Sequence, residues 1–165
     1  MALAFKPASK TQAKARIALA GPSGSGKTYT ALLLAKSMGA RIALVDSERG
    51  SASKYAGEPG IPAFDVLELE TFSPTEYMAA IDAAEQAGYD VLIIDSLSHA
   101  WAGKDGILEQ VDVAKAKSKS GNAFTDGWRH ASPLHNKFVD RMLASRLDLI
   151  TTMRSHTEYV LEERN

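Results

Sequence analysis

The sequence predicts an α/β fold of three layers, with a mostly parallel central sheet covered on both faces by helices. Three observations predict it. Short apolar runs such as "RIALA" (16–20), "RIALVD" (41–46) and "YDVLIID" (89–95) have the length and unbroken hydrophobicity of buried parallel strands. Between them lie segments whose apolar residues recur at helical spacing. Glycine-rich or Ser-Pro punctuation separates the two kinds. Such alternation builds βαβ units, which bind ligands at the carboxyl ends of their strands.

In chain order, residues 1 to about 15 read as a flexible arm and 16–165 as the folded domain. The first strand, 16–20, runs into glycine. From Lys27 to Met38, residues Ala31, Leu32, Leu34, Ala35 and Met38 form one helical face, and Gly39 stands at the expected stop. The second strand is 41–46. "FDVLEL" (64–69) alternates and reads as a third. Ser73 is a cap, Pro74 takes the first helical position, and Glu76 reaches back as in a capping box. Tyr77, Ala80, Ile81 and Ala84 line the inner face of that helix, and Gly88 ends it. The fourth strand is 89–95. Ser132 and Pro133 open a further helix with Leu134, Phe138, Met142 and Leu143 inward. "LDLITT" (147–152) is a fifth strand and "EYVLEE" (158–163) a sixth, at an edge. Residues 21–28, 46–49, 95–99 and 152–156 therefore share one rim.

Composition narrows the function classes. The chain has 165 residues, 19 basic against 20 acidic, and a formal charge of -1. A strongly basic nucleic-acid binder is not indicated, so any such surface must be a local patch. With no cysteine there is no disulfide, thiolate nucleophile or cysteine zinc site. The longest apolar runs fall far short of the roughly 20 residues that span a bilayer. No apolar block of signal-peptide length opens the chain, so a cytoplasmic protein is expected.

"GPSGSGKT" (21–28) fits the spacing G-x-x-x-x-G-K-[ST]. A polyphosphate is held by successive backbone N–H groups at the positive end of a helix, and glycines permit the required angles. Gly21, Ser23, Gly24, Ser25, Gly26, Lys27, Thr28 and Tyr29 form the candidate nucleotide-binding stretch. Lys27 would reach the terminal phosphates, and the Thr28 hydroxyl would ligate Mg²⁺. A second metal anchor is expected at a neighbouring strand end, where "VLIIDS" offers Asp95. Hydrolysis also needs a group to orient water. Ser96 follows Asp95, so that group is not adjacent. Glu48, just past the second strand in "VDSERG", is the candidate on the same rim.

These features together resemble the RecA-like P-loop ATPases. The resemblance implies that Glu48 is the catalytic glutamate, that Tyr55 packs on the adenine, and that Thr151, Thr152 and Arg154 lie where the γ-phosphate is sensed. A narrower likeness, carried by "RIALVDSERGSASKY", "LIIDSLSHAW", "SPLHNKFVDRML" and "LITTMRSHTEYVLEE", is to phage-encoded, RecA-related nucleotide-binding proteins of the AAA family. Some of these assist recombination or single-strand annealing. The likeness implies that Trp101, Trp128 and the following helix belong to the elements shared by the family, and that other members continue with more sheet. The usual Asn-Gln sensor pair is replaced here by threonine, methionine and arginine.

The stretch 112–128 is the least regular. Lys115, Lys117 and Lys119 alternate with small residues ahead of Phe124, a pattern that suits a single-stranded DNA contact, an oligomer contact or a solvated connector. His99, His130, His135 and His156 show no metal spacing. His99 and His156 fall on the rim as polar supports. No Asn-Lys-x-Asp guanine motif is present, which favours ATP.

The expectation is thus a Mg²⁺-dependent ATPase serving DNA recombination or single-strand transactions. Its catalytic residues are Lys27, Glu48, Thr152 and Arg154, its metal anchors Thr28 and Asp95, and it acts as a homo-oligomer. A P-loop small-molecule kinase and a non-hydrolysing assembly module remain the alternatives.

Overall fold

The computed structural model describes residues 13–118 and 123–155. In chain order the elements are β1 (Arg16–Gly21), α1 (Lys27–Met38), β2 (Ile42–Asp46), a 3₁₀ turn (Ala52–Tyr55), β3 (Asp65–Glu68) and α2 (Pro74–Ala87). They continue with β4 (Val91–Asp95), α3 (Ser98–Ala102), α4 (Ile107–Lys117), α5 (Ala123–Leu143) and β5 (Asp148–Arg154). The five strands form one sheet in the order β1-β5-β4-β2-β3. Every neighbouring pair is parallel. The predicted sixth strand lies outside the described residues.

The alternation of β4 shows why the sheet needs two coverings. Leu92 and Ile94 face a cluster built with Tyr77 and Ile81 of α2 and Phe138 of α5. Val91 and Ile93 face the opposite cluster, with Leu32 and Ala35 of α1. All five β4 residues and all five β2 residues are buried, as befits central parallel strands.

The two edges depart from expectation. β1 is an edge strand among the described residues, and Ala18 and Ala20 are exposed. Its apolar run suggested a strand buried on both faces, but small alanines tolerate water well. β3 is the other edge, and all four of its residues are exposed, so the alternation of "FDVLEL" does not mark a core face.

The cap and proline of α2 stand where the sequence predicts them. Pro74 leads the helix, and the Ser73 hydroxyl accepts the Thr75 backbone N–H, but the Glu76 side chain makes no capping-box bond to Ser73. Gly88 ends it in the left-handed region with φ 74. By contrast, Ser132-Pro133 does not start a helix. Pro133 sits inside α5, which begins at Ala123. Proline gives up one backbone bond there, but Ala131 and Phe138 on either side are buried against α4 and α2. Of the four residues predicted inward, Phe138 is buried and Leu134 and Met142 are partly so, while Leu143 is exposed. The irregular stretch is also more helical than its composition suggests, since α4 extends through Lys117.

Two charged clamps hold the carboxyl end of α5, one from α2 and one from the sheet. Glu85 of α2 accepts the Ser145 hydroxyl and the Arg146 backbone N–H, both at 2.8 Å, and pairs with Arg141 of α5 at 3.0 Å. Burial works to raise its pKa, but these donors outweigh it and hold the carboxyl down at about 2. Arg16 of β1 donates to the carbonyls of Leu143, Ser145 and Leu147 at the end of α5. The end of the predicted arm is fixed as well, because the Ala15 N–H and the Lys14 ammonium both reach the Asp148 carboxylate.

Candidate active site

The loop 21–28 leaves the carboxyl end of β1 and opens α1. Gly24 and Gly26 have φ of 77° and 79°, a region costly for residues with a Cβ. A Cβ at either would meet nothing within 4 Å, so their freedom is conformational and leaves the concave side open. Gly21 differs, since a Cβ there would come within 2.8 Å of the Ser25 hydroxyl. Its absence lets the loop fold back on itself. Lys27 Nζ donates to the Pro22 carbonyl at 2.8 Å, which lays the ammonium across the loop.

Ser23, Gly24, Gly26, Lys27 and Thr28 line a cleft of about 180 Å³, and Asp95, Glu48, Ser51, Tyr55 and Arg154 complete its wall. Four separate stretches therefore meet at one rim. β2 and β4 are in register, Asp46 opposite Asp95. The two tips are bonded, Ser47 N–H to Asp95 carbonyl at 2.7 Å and Ser96 N–H to Ser47 Oγ at 2.8 Å.

Asp95 is buried and holds two hydroxyls. Thr28 Oγ1 donates to Oδ2 at 2.5 Å, and Thr152 Oγ1 donates to Oδ1. Glu48 is engaged by Arg154, with Nη2 at 2.8 Å and Nε at 3.0 Å from Oε1. Behind this wall, the Tyr77 hydroxyl donates to the Ser96 carbonyl at 3.3 Å. Burial, partly offset by its bond with Ser47, pushes Tyr77 up to about 12, so it stays a neutral donor.

Hard oxygen donors suit Mg²⁺, which takes one or two protein ligands and completes its shell with phosphate and water. The Thr28 hydroxyl and the Asp95 carboxylate converge at hydrogen-bond distance beside the phosphate loop, so the residues present fit that ion. Among the described residues no group of three or more His, Cys, Asp or Glu could hold a metal by itself.

The remaining predicted residues distribute as follows. Gly21 and Ser25 line a neighbouring groove rather than the cleft. Tyr29 is outside the cleft wall but packs on Tyr55, their ring centroids 5.9 Å apart. Thr152 does not line the cleft but bonds Asp95, and Thr151 bonds the Ile17 carbonyl of β1 instead. His99 Nδ1 lies 2.8 Å from Ser47 Oγ, while His156 lies outside the described residues. Lys115 and Lys117 lie in the last turn of α4 and Phe124 in the first turn of α5, none of them lines the cleft, and Lys119 is outside the described residues. Lys115 Nζ stands 5.5 Å from the centre of the Phe124 ring. Trp101 is 42% exposed, and its ring centre lies 5.9 Å from that of Trp128.

Two contributors had no signal in the sequence. Ser51 lines the cleft with a buried hydroxyl that has no hydrogen-bond partner among the described residues. Asp46, an ordinary strand-end acid in the sequence, is buried beneath the Glu48 loop.

No helix among the described residues is long and apolar enough to cross a membrane. No curated protein matches the chain. A family model described as an AAA domain matches residues 13–165. With a nucleotide-type phosphate loop at the rim of an all-parallel sheet, the match agrees with the architecture, and the chain belongs to this AAA-domain family of P-loop NTPases.

Proposed function

We propose that the protein is a Mg²⁺-dependent ATPase of RecA-like design. The observation that carries this reading is the meeting of Lys27, Thr28, Asp95 and Glu48 on one cleft. Backbone N–H groups from Gly24 to Thr28 hold the phosphates at the start of α1. Thr28 and Asp95 hold Mg²⁺, which when bound neutralises charge on the phosphate oxygens. Thr152 fixes the orientation of Asp95 by its hydrogen bond. Lys27 offsets the charge that grows on the β,γ-bridging oxygen.

Glu48 orients a water and takes its proton as the water oxygen bonds to the γ-phosphorus. The bond from that phosphorus to the bridging oxygen breaks, giving ADP and inorganic phosphate. Arg154 is the cation that a γ-phosphate would draw away from Glu48, freeing the carboxylate when substrate is in place. Tyr55, backed by Tyr29, supplies an aromatic surface for the base.

The test is phosphate release from Mg²⁺–ATP. Glu48→Gln is expected to lower kcat by about 10²–10⁴, with ATP binding retained. Unchanged hydrolysis would remove Glu48 from the mechanism, and a phosphorylated small molecule as product would favour a kinase.

Single-stranded DNA in recombination or annealing is the proposed context, supported by the Lys115–Phe124 pair and the 64% exposure of Phe124. Lysine on phosphate and a ring on a base would make that contact. A homo-oligomer follows from the same reading, because such sites are commonly completed by a cation from a neighbour. Single-stranded DNA should raise the ATPase rate, and Phe124→Ala should weaken that response. An ATPase rate indifferent to DNA argues against this context.

A further inference from the structure

The loop joining β2 to the 3₁₀ turn has an unusual backbone. Arg49, which carries a Cβ, has φ 55°, and Gly50 follows with φ 80°. Two consecutive left-handed residues turn the chain sharply, and a non-glycine residue there holds that shape only when its surroundings impose it. One side chain bonds the backbone on both flanks of that pair. Asp46, 1% exposed, accepts the Glu48 N–H on Oδ1 at 2.5 Å and the Ala52 N–H on Oδ2 at 3.2 Å. Its two oxygens thus grip the two ends of the turn.

Asp46 does not line the cleft, yet what it grips does. Glu48 and Ser51 project from the turn into the cleft wall, and Ala52 begins the 3₁₀ turn that ends at Tyr55. The residue is also anchored at its own end, where β2 is central in the sheet and in register with β4. A rigid strand tip therefore sets the reach of the loop relative to Asp95. A carboxylate can accept at both oxygens, whereas an amide of the same shape must present an NH₂ to one of the two N–H groups.

We propose that Asp46 is a positioning residue for catalysis: by binding the Glu48 and Ala52 amides at once, it places the Glu48 carboxylate and the Tyr55 ring together. This rests on the roles assigned above to Glu48 and Tyr55, and it adds that the two are set by one group. Asp46→Asn should therefore disturb both turnover and nucleotide affinity, unlike a change at either residue alone.

The experiment combines steady-state kinetics with amide hydrogen exchange. In the wild type, the Glu48 and Ala52 amides should exchange at least tenfold more slowly than unbonded loop amides. In Asp46→Asn one or both should lose that protection, while β2 and β4 keep theirs. Kinetically, Asp46→Asn should lower kcat by up to about 100-fold, as a small misplacement of a catalytic group does, and raise KM for ATP severalfold. Glu48→Gln should lower kcat with KM nearly unchanged. The double variant should lose no more kcat than Glu48→Gln, yet keep the raised KM. Wild-type amides that exchange freely overturn the proposal even if the variant fails to fold. So does an Asp46→Asn enzyme with wild-type kcat and KM, or a double variant whose kcat losses multiply. If Glu48→Gln leaves hydrolysis intact, the role of Glu48 falls, while the exchange pattern and the KM of Asp46→Asn still judge Asp46.

Discussion

Asp95 illustrates how one side chain can serve a site through two bonds at once. Thr152 does not line the cleft, and its hydroxyl matters through the carboxylate it holds. Thr152→Val keeps the shape and removes that bond. Hydrolysis should fall about 10–100-fold, and the Mg²⁺ concentration for half-maximal rate should rise, as expected for loss of a partner that orients a metal ligand. A titration of rate against Mg²⁺ checks this. The legibility of single residues follows the same logic. Lys27 and Thr28 could be read from spacing, because a backbone nest opening a helix leaves few choices of residue. Asp95 and Glu48 could be read as strand-end carboxylates on a shared rim. Asp46 and Ser51 could not, since acids and serines after a strand are ordinary turn formers. Only the folded loop shows that one grips two amides and the other turns a hydroxyl inward.

Among elements, α5 carries a deliberate flaw. Pro133 is exposed and interior to the helix. A proline there costs up to about 3 kcal/mol against alanine. Pro133→Ala should therefore stabilise the protein by about 1–3 kcal/mol, seen as a higher urea midpoint. The Ser-Pro pair imitates a helix start in sequence because proline is favoured at the first position and disfavoured later. Packing on two neighbours overrode that preference, and no local signal could report it. The clamp at the end of α2 has a pH signature. The Glu85 carboxyl is held near 2 when folded, below its ordinary value of about 4.3. Its contribution is complete above about pH 4.3 and is lost as pH falls through about 2. Thermal melts of Glu85→Gln should show a lower Tm than wild type at pH 7, and the gap should narrow in acid. Each hydrogen bond to the charged group is worth about 1.5–3 kcal/mol at most.

For the whole molecule, ligand and stability are linked. If Mg²⁺–ATP binds the folded form alone, a concentration 100 times Kd adds about 2.7 kcal/mol. The melting midpoint should rise with Mg²⁺–ATP, and chelating the metal should remove most of that rise. The three-layer arrangement was legible because β2 and β4 are apolar on both faces and so must be covered twice. The edges were less so, since alanine and valine runs look alike whether a strand has one neighbour or two.

The sheet order carries one more consequence, for synthesis. β1, made first, has β5 as its only neighbour among the described residues, and Arg16 meets Leu149 across that pair. The strand that launches the phosphate loop thus waits, during translation, for a segment that emerges more than a hundred positions later. Nascent chains halted before residue 148 should be unable to retain ATP, whatever the state of their loop. Competence would arrive abruptly, as the final described strand slides in between β1 and β4 and locks the first strand to the rest.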